Sequence, residues 1–499
     1  MNIDLFNCFT RRSLGVGGFS PRNLITRSLG VGGFSPRNFT RRSLGVGGLL
    51  IFAFSSLLAQ SAVLEAYIQE GLTANLGLKQ QSLDIAKAQE SVRQSNALGK
   101  PKLTFDANYT VAGGGRKIDF PIGDLLNNVY GNLNALNAMP GNLPPGVIPG
   151  QFPTLENQQI QFLPNNFHET KVSFAYPIFN SDLKYNREIQ GFLLQSKSAG
   201  KAATEQELRF QITESYLNYL RVLEAEKVWI NAKTVLTELR RFNESLVRNN
   251  VATRDVVATA DYELSKADNE IFKFKSLQNT ARAYFNFLIN KDLQQEVVVD
   301  TALLRIVLPA YQAEQLVQES LNNRPEIAAL KAGQQAAETD VRRNAANSKL
   351  PDFYLGGSLG FQGFGYKFNK DQVYALAQVG LTYDLFDGGL RKSKTQEARL
   401  QAEGVRNQTE QVQQQIALQV TSAWNELEAA QNTFSTTQIG LRAAEETFRI
   451  VNNKYRANQV LLLEFLDAQN RVTTARLQQL LAWTEVLVKE AGLRKAAGI

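Results

Sequence analysis

The chain is short of the residues that most often do chemistry. Its 499 residues include one cysteine, one histidine, two methionines and three tryptophans. With Cys8 alone, no disulfide can close within the chain. The single histidine, His168, cannot build a multi-histidine metal centre and is expected to be an ordinary loop residue. Without a methionine ladder or a histidine cluster, nothing points to copper or silver ligation. No phosphate-binding glycine loop, catalytic triad or metal-ligand spacing is present, so the chain is not read as an enzyme and no cofactor or metal is expected. Long apolar runs are missing too, which excludes a helical membrane span.

The formal charge of +7 looks like an affinity for nucleic acid, but its distribution argues otherwise. Residues 1–48 hold seven arginines against the single acid Asp4, which accounts for +6 of it. A folded surface that is close to neutral is not a nucleic-acid footprint. Within that basic segment Arg-Ser-Leu-Gly-Val-Gly-Gly recurs at 12–18, 27–33 and 42–48. Such glycine-rich repeats have too few bulky apolar side chains to bury a core, so residues 1–48 are expected to be a disordered extension, or to precede the native start. Residues 49–61 follow, an apolar core of about ten residues behind Arg41 and Arg42 with small residues after it, the layout of a secretory signal. Cleavage near Ala59 or Ser61 would leave an exported chain without cysteine.

What remains is duplicated. Ile68-Gln69-Glu70-Gly71-Leu72 returns 249 positions later as Val317-Gln318-Glu319-Ser320-Leu321, and Tyr176-Pro177-Ile178-Phe179 corresponds to Tyr383-Asp384-Leu385-Phe386. The unit is too long for a solenoid. Two repeats are expected, 62–310 and 311–499, each with the order helix, strand, strand, long helical hairpin. The four strands alternate strictly. Leu103, Phe105, Ala107 and Tyr109 share one face; so do Val172, Phe174, Tyr176 and Ile178; Phe353, Leu355, Leu359 and Phe361; and Ala375, Ala377, Val379, Leu381, Tyr383 and Leu385. Polar or small residues fill the other face. Runs of about ten such residues suit tilted strands that cross a bilayer, apolar side chains toward lipid and polar ones toward a lumen. Backbone groups in hydrocarbon must all be paired, so only a closed barrel is allowed, and four strands are too few to close. Identical copies must complete the wall: two give a narrow filled barrel, three give twelve strands and room for a channel. Residues 113–168 read as one long loop, and residues 363–372 as its short counterpart.

No proline follows Pro351, and from about residue 388 to 457 apolar residues recur at four- and three-residue steps: Ile416, Val420, Ala423, Leu427, Ala430, Phe434, then Leu441, Ala444, Phe448, Val451 and Tyr455. This is a heptad seam. Val222, Ala225, Trp229, Ala232, Leu236 and Leu239 repeat it in the first half, with Asn243 as the polar exception, and returning helices run through 257–288 and 465–486. Helices of some 70 residues reach about 100 Å. Trp229, Trp424 and Trp483 read as packing residues. The fold expected is mainly α with a transmembrane β-barrel continued by an α-helical tunnel.

The duplicated order and one local signature resemble the TolC family of outer-membrane efflux proteins over residues 62–499. The signature is Tyr455-Arg456-Ala457-Asn458-Gln459-Val460 leading to Glu464-Phe465-Leu466-Asp467-Ala468-Gln469. The family typically has Tyr-x-x-Gly and then Asp-Val-Leu-Asp-Ala here; Asn458 replaces the glycine, and asparagine also tolerates a left-handed turn. The first-half counterpart is Asn249-Asn250-Val251-Ala252-Thr253-Arg254-Asp255. The resemblance implies a homotrimer in the outer membrane of a Gram-negative-type bacterium. Its helical tunnel would stand in the periplasm and dock through its tips onto a periplasmic adaptor (membrane fusion) protein and an inner-membrane pump of RND or ABC type. It also implies that Glu464 and Asp467 ring the closed mouth, that Asp255 and Tyr455 tie neighbouring helices, and that Asn250, Val251, Ala252, Asn458, Gln459 and Val460 form the adaptor-docking tips. Val460 stands where the family has an arginine, so one gate link is expected to be weaker or built differently. The function implied is a passive exit duct for efflux or type I secretion. The alternative from another class is a trimeric coiled-coil surface adhesin anchored by a barrel. Adhesins contribute consecutive C-terminal strands, whereas here the strands are split between two repeats.

Overall fold

The computed structural model describes residues 61–499 except 142, 143, 149 and 164. The expected extension at 1–48, and the expected signal at 49–61 apart from Ser61, lie outside the described residues. One order of elements occurs twice. Helices α1 (Ala62–Ala74) and α2 (Leu76–Leu98) lead to strand β1 (Lys102–Thr110), and β4 (Phe167–Phe179) leads to α4 (Ser181–Arg248) and α5 (Asp255–Leu288). Helices α6 (Ala313–Asn323) and α7 (Pro325–Asn347) lead to β5 (Asp352–Phe364) and β6 (Val373–Thr382), then α8 (Leu390–Arg456) and α9 (Leu462–Ala497). Between β1 and β4 lie β2 (Lys117–Phe120), α3 (Ile122–Asn137) and β3 (Gln158–Gln161).

The long helices begin where side chains satisfy their first amide groups. The Asn180 carboxamide accepts from the Leu183 amide at 2.9 Å, and Asp387 accepts from the Gly389 and Arg391 amides at 3.0 and 2.9 Å. With no proline to interrupt them, α4 and α8 run 68 and 67 residues. α2 and α7 flank the end of α4 nearest the sheet, while α5 and α9 return along the far ends of α4 and α8. The predicted seams are the buried ones: Ile416, Val420 and Leu427 on α8, Ala225, Ala232, Leu236 and Leu239 on α4, Ala260 and Ala267 on α5, Phe465, Ala468 and Val472 on α9. Their many alanines let the helices lie close. At the waist, the buried Arg324 donates to Glu326 (2.6 and 3.1 Å), to the Gln419 carboxamide (2.9 Å) and to the Ala496 carbonyl (3.3 Å). One guanidinium thus joins the α6–α7 turn to α8 and to the end of α9.

The four long strands form one antiparallel sheet in the order β1-β4-β5-β6. β4 and β5, one strand from each repeat, pair from Phe167–Phe364 through Pro177–Tyr354, with a register break before Phe179. Proline has no amide hydrogen to give the ladder, which explains the break beside Pro177. The halves approach tightly there, because a Cβ at Gly360 would lie 2.3 Å from the Thr170 carbonyl oxygen. The alternation reads out as expected: Leu103 (71%), Phe105 (69%), Leu359 (61%) and Val379 (73%) stay exposed on one face. β1 and β6 are the edges of this sheet, with no further partner strand among the described residues.

Three expectations need correction. Residues 113–168 are not one loop, since they carry the β2–β3 ladder and α3. Asparagines and Gly131 diluted the apolar spacing of that helix. His168 is not a loop residue. It lies in β4, fully buried, with Nε2 2.8 Å from the Gln372 side-chain oxygen and its ring 4.6 Å from that of Tyr366. The fourth strand ends at Thr382, so Tyr383 and Leu385 leave the sheet. Asp387, Gly388 and Gly389, with both glycines at positive φ, turn the chain there into α8, and Arg391 folds back onto Asp384 and the Tyr383 ring. Among the described residues no helix is long and apolar enough to cross a membrane.

A Gly360→Ala substitution should prise β4 from β5, because a backbone carbonyl cannot move aside as a side-chain end could. We expect a loss of about 1–3 kcal/mol, measured as a lowered midpoint of denaturant unfolding in detergent.

Candidate functional site at the hairpin tips

The two helical hairpins end in the same turn. After α4, the Asn250 amide donates to the Val247 carbonyl at 3.1 Å and the Val251 amide to Leu246 at 2.9 Å. After α8, the Asn458 amide donates to Tyr455 and the Gln459 amide to Lys454, both at 2.9 Å. Each is a Schellman closure, which needs a left-handed residue, and Asn250 (φ 56°) and Asn458 (φ 55°) supply it. Asparagine thus holds the conformation that the family glycine would. Val251, Asn458 and Gln459 are exposed; Ala252 and Val460 are half-buried.

Beneath the turns a small core closes the tips, formed by Leu236, Leu239, Ala260, Tyr455, Phe465 and Leu466 with Phe242, Phe448 and Val460 packed against it. The Tyr455 ring lies 5.2 Å from Phe465 and 5.8 Å from Phe242. Its hydroxyl donates to the Asn243 carboxamide oxygen at 2.8 Å, and the Asn243 nitrogen donates to the Val256 carbonyl at 3.0 Å. One buried relay therefore joins the end of α8 to α4 and then to the start of α5. Burial pushes the Tyr455 phenol above its ordinary range, and the Asn243 bond only partly opposes this. Asn243 was legible only as the polar break in a heptad; its role needed the structure.

The carboxylates stand apart from this core. Glu464 and Asp467 are one helical turn apart on an exposed face of α9. Glu464 lies in the first turn, its carboxylate 3.5 Å from the Leu461 amide, and Asp467 accepts from Arg471 at 2.8 Å. Asp255 opens α5 and takes a short hydrogen bond from the Thr253 hydroxyl. Within the chain, then, the structure brings Tyr455 to Asn243, not to Asp255. Val460, in place of the family arginine, contributes apolar packing. Arginines near the tips pair elsewhere: Arg240 with Asp261 and Glu244, Arg456 with Glu238 at 3.8 Å.

Residues 316–499 match the family model described as outer membrane efflux protein. With the fold above, that match makes the second half of the chain similar to outer membrane efflux proteins. Among solved structures the chain is similar to the outer membrane protein VceC from Vibrio cholerae, at a TM-score of 0.67 and 16% identity over 87% of this chain and 96% of that one. It is similar also to the open state of the Neisseria gonorrhoeae MtrE outer membrane channel, at a TM-score of 0.68 and 18% identity over 87% and 89% of the two chains. A curated relative, the outer membrane efflux protein BepC of Brucella suis, is 26% identical over 120 residues, spanning 24% of this chain and 26% of its own length.

Tyr455→Phe leaves the buried Asn243 oxygen without its donor and should cost about 1–3 kcal/mol. A phenol raised in the folded state contributes stability below its unfolded value, and that contribution is lost as pH rises. The wild type should therefore weaken above pH of about 10, and the Phe variant should lose that part of the alkaline dependence; thermal unfolding against pH measures both.

Proposed function

We propose that the protein is the outer-membrane exit duct of a tripartite efflux or type I secretion system, a homotrimer that passively conducts substrate from a periplasmic adaptor and inner-membrane pump to the exterior. The observation that carries this reading is the open sheet. β1 and β6 are unpaired edges, and Phe105 and Val379 are exposed on its apolar face. In lipid an unpaired edge is untenable, and three copies give twelve strands with room for a lumen. The helices agree, since α5 exposes Tyr262, Phe272, Tyr284 and Phe287 along its length and a neighbouring copy would cover such rings. The match of residues 316–499 to outer membrane efflux proteins and the likeness in fold to outer-membrane channels support the same location and role.

In the trimer, Glu464 and Asp467 of each copy would form a carboxylate ring at the periplasmic mouth. Like charges brought together attract cations and repel one another, which suits a gate that partners must hold open. Arg471 beside Asp467 halves the net charge of that set in each copy. The turns bearing Asn250, Val251, Ala252, Asn458, Gln459 and Val460 are the outermost periplasmic surface and would meet the adaptor. Asp255 and Tyr455 lie one layer behind it.

Detergent-purified protein should have the mass of a trimer and conduct ions across a planar bilayer, whereas a stable, non-conducting monomer would refute the reading. Glu464→Ala with Asp467→Ala should weaken block of single-channel current by divalent cations, and Arg471→Ala should strengthen it. An unchanged block in both variants removes these residues from the gate.

A further inference from the structure

The part of the chain that an exit duct does not require is the cap inserted between β1 and β4. In it, α3 is held by amide side chains. Asn127 donates to the Leu155 carbonyl at 2.9 Å and accepts from its amide at 2.8 Å; Asn134 does the same with Phe152 at 3.0 and 2.8 Å. Asn157 closes the helix start, donating to Asp124 at 2.9 Å and accepting from the Asp124 amide at 3.1 Å. Residues 150–157 thus run along α3 as a strap, fixed as if to a neighbouring strand. Tyr130 stacks on Phe152 at 5.0 Å.

The strap covers one side of α3 and leaves its apolar row open. Leu125 is 67% exposed and Val129 49% exposed, and Leu126 and Leu133 lie beside them. A row of this kind on a well-anchored helix marks a contact surface. Helices that lie on lipid surfaces carry lysine and arginine on the polar face. α3 has neither, its only charge is Asp124, and its polar face is asparagine. Protein is therefore the fitting partner.

Topology says which protein. If three copies close the barrel, β6 of one pairs antiparallel with β1 of the next. Val373, the outer end of β6, then stands beside Thr110, the root of the neighbouring cap. The short β5–β6 hairpin comes with it, offering Phe364 (65% exposed), Tyr366 (50%) and Phe368 (57%). His168 backs this hairpin, its ring 4.6 Å from Tyr366 and 5.7 Å from Phe368, and Tyr366 also lies 5.8 Å from the Tyr109 ring, so the hairpin rings are fixed in place while each stays at least half exposed. We propose that the apolar face of α3 seats on the β5–β6 hairpin of the neighbouring copy, giving three clasps that bind the barrel together at its outer rim. The proposal rests on the trimeric duct and adds an interface outside the lipid to it.

The test uses cysteine pairs in full-length Cys8→Ser protein, which otherwise has no thiol. Val129→Cys with Phe368→Cys should give disulfide-linked dimers and trimers on oxidation, and either cysteine alone should not. Adding Leu125→Asn and Leu133→Asn should abolish the links. A second pair, Phe105→Cys in β1 with Ala377→Cys in β6, joined by a short bifunctional thiol reagent, reports barrel closure separately. Closure without the clasp link overturns the proposal. Linking by Val129→Cys alone would mean that caps pair with each other, and protection of that thiol in liposomes but not in detergent would mean a lipid surface; either also overturns it. Failure of the β1–β6 pair to link, with a monomeric mass, overturns the duct reading itself and the clasp with it.

Discussion

The structure depends on the unsatisfied backbone at two strand edges. Every amide and carbonyl that enters hydrocarbon needs a partner, and an isolated group left without one costs several kcal/mol. Among the described residues β4 and β5 have a neighbour on each side, but β1 and β6 have only one apiece. The rest of the architecture follows from that deficit. Four strands are too few to close, and in the proposed trimer the wall would be shared between copies, each bringing its own length of helix to continue the lumen.

The two repeats meet in ways that differ along the molecule. At the sheet they meet as adjacent strands, close enough that Gly360 has no room for a side chain. At the waist they meet through the cluster around Tyr216 and Phe285, which Leu487 of α9 enters with Trp483 and Val488 packed against it. At the tips they meet through Tyr455 and Asn243, a polar contact inside an apolar cluster. Such a buried relay contributes little net stability when complete but is costly to break, so it fixes how the hairpins sit more than how tightly they hold. In the proposed gate, fixing relative position would be the useful property.

Much of this was legible beforehand because the periods are simple. Alternation from Leu103 to Tyr109 could only be a half-wet or lipid-facing strand. The repeated steps from Ile416 to Tyr455 could only be a seam. Legibility failed where local pattern was weak or a contact was remote. The helix at Ile122–Asn137 was hidden because its asparagines, poor helix formers as a rule, turn out to bind the strap at Leu155 and Phe152. The burial of His168 depends on Gln372 and Tyr366, more than 190 positions away, and no local motif announces such a partner.

The sequence by itself determined the duplication, the alternating strands, the heptad helices and the asparagine turns, since each is written in residues close together in the chain. Only the tertiary structure decided that β4 joins β5 across the repeats, that Asn243 answers Tyr455, and that the long connection after β1 is a built cap. Those are pairings between distant residues, chosen by which surfaces and hydrogen-bonding groups the folded backbone brings within reach of one another.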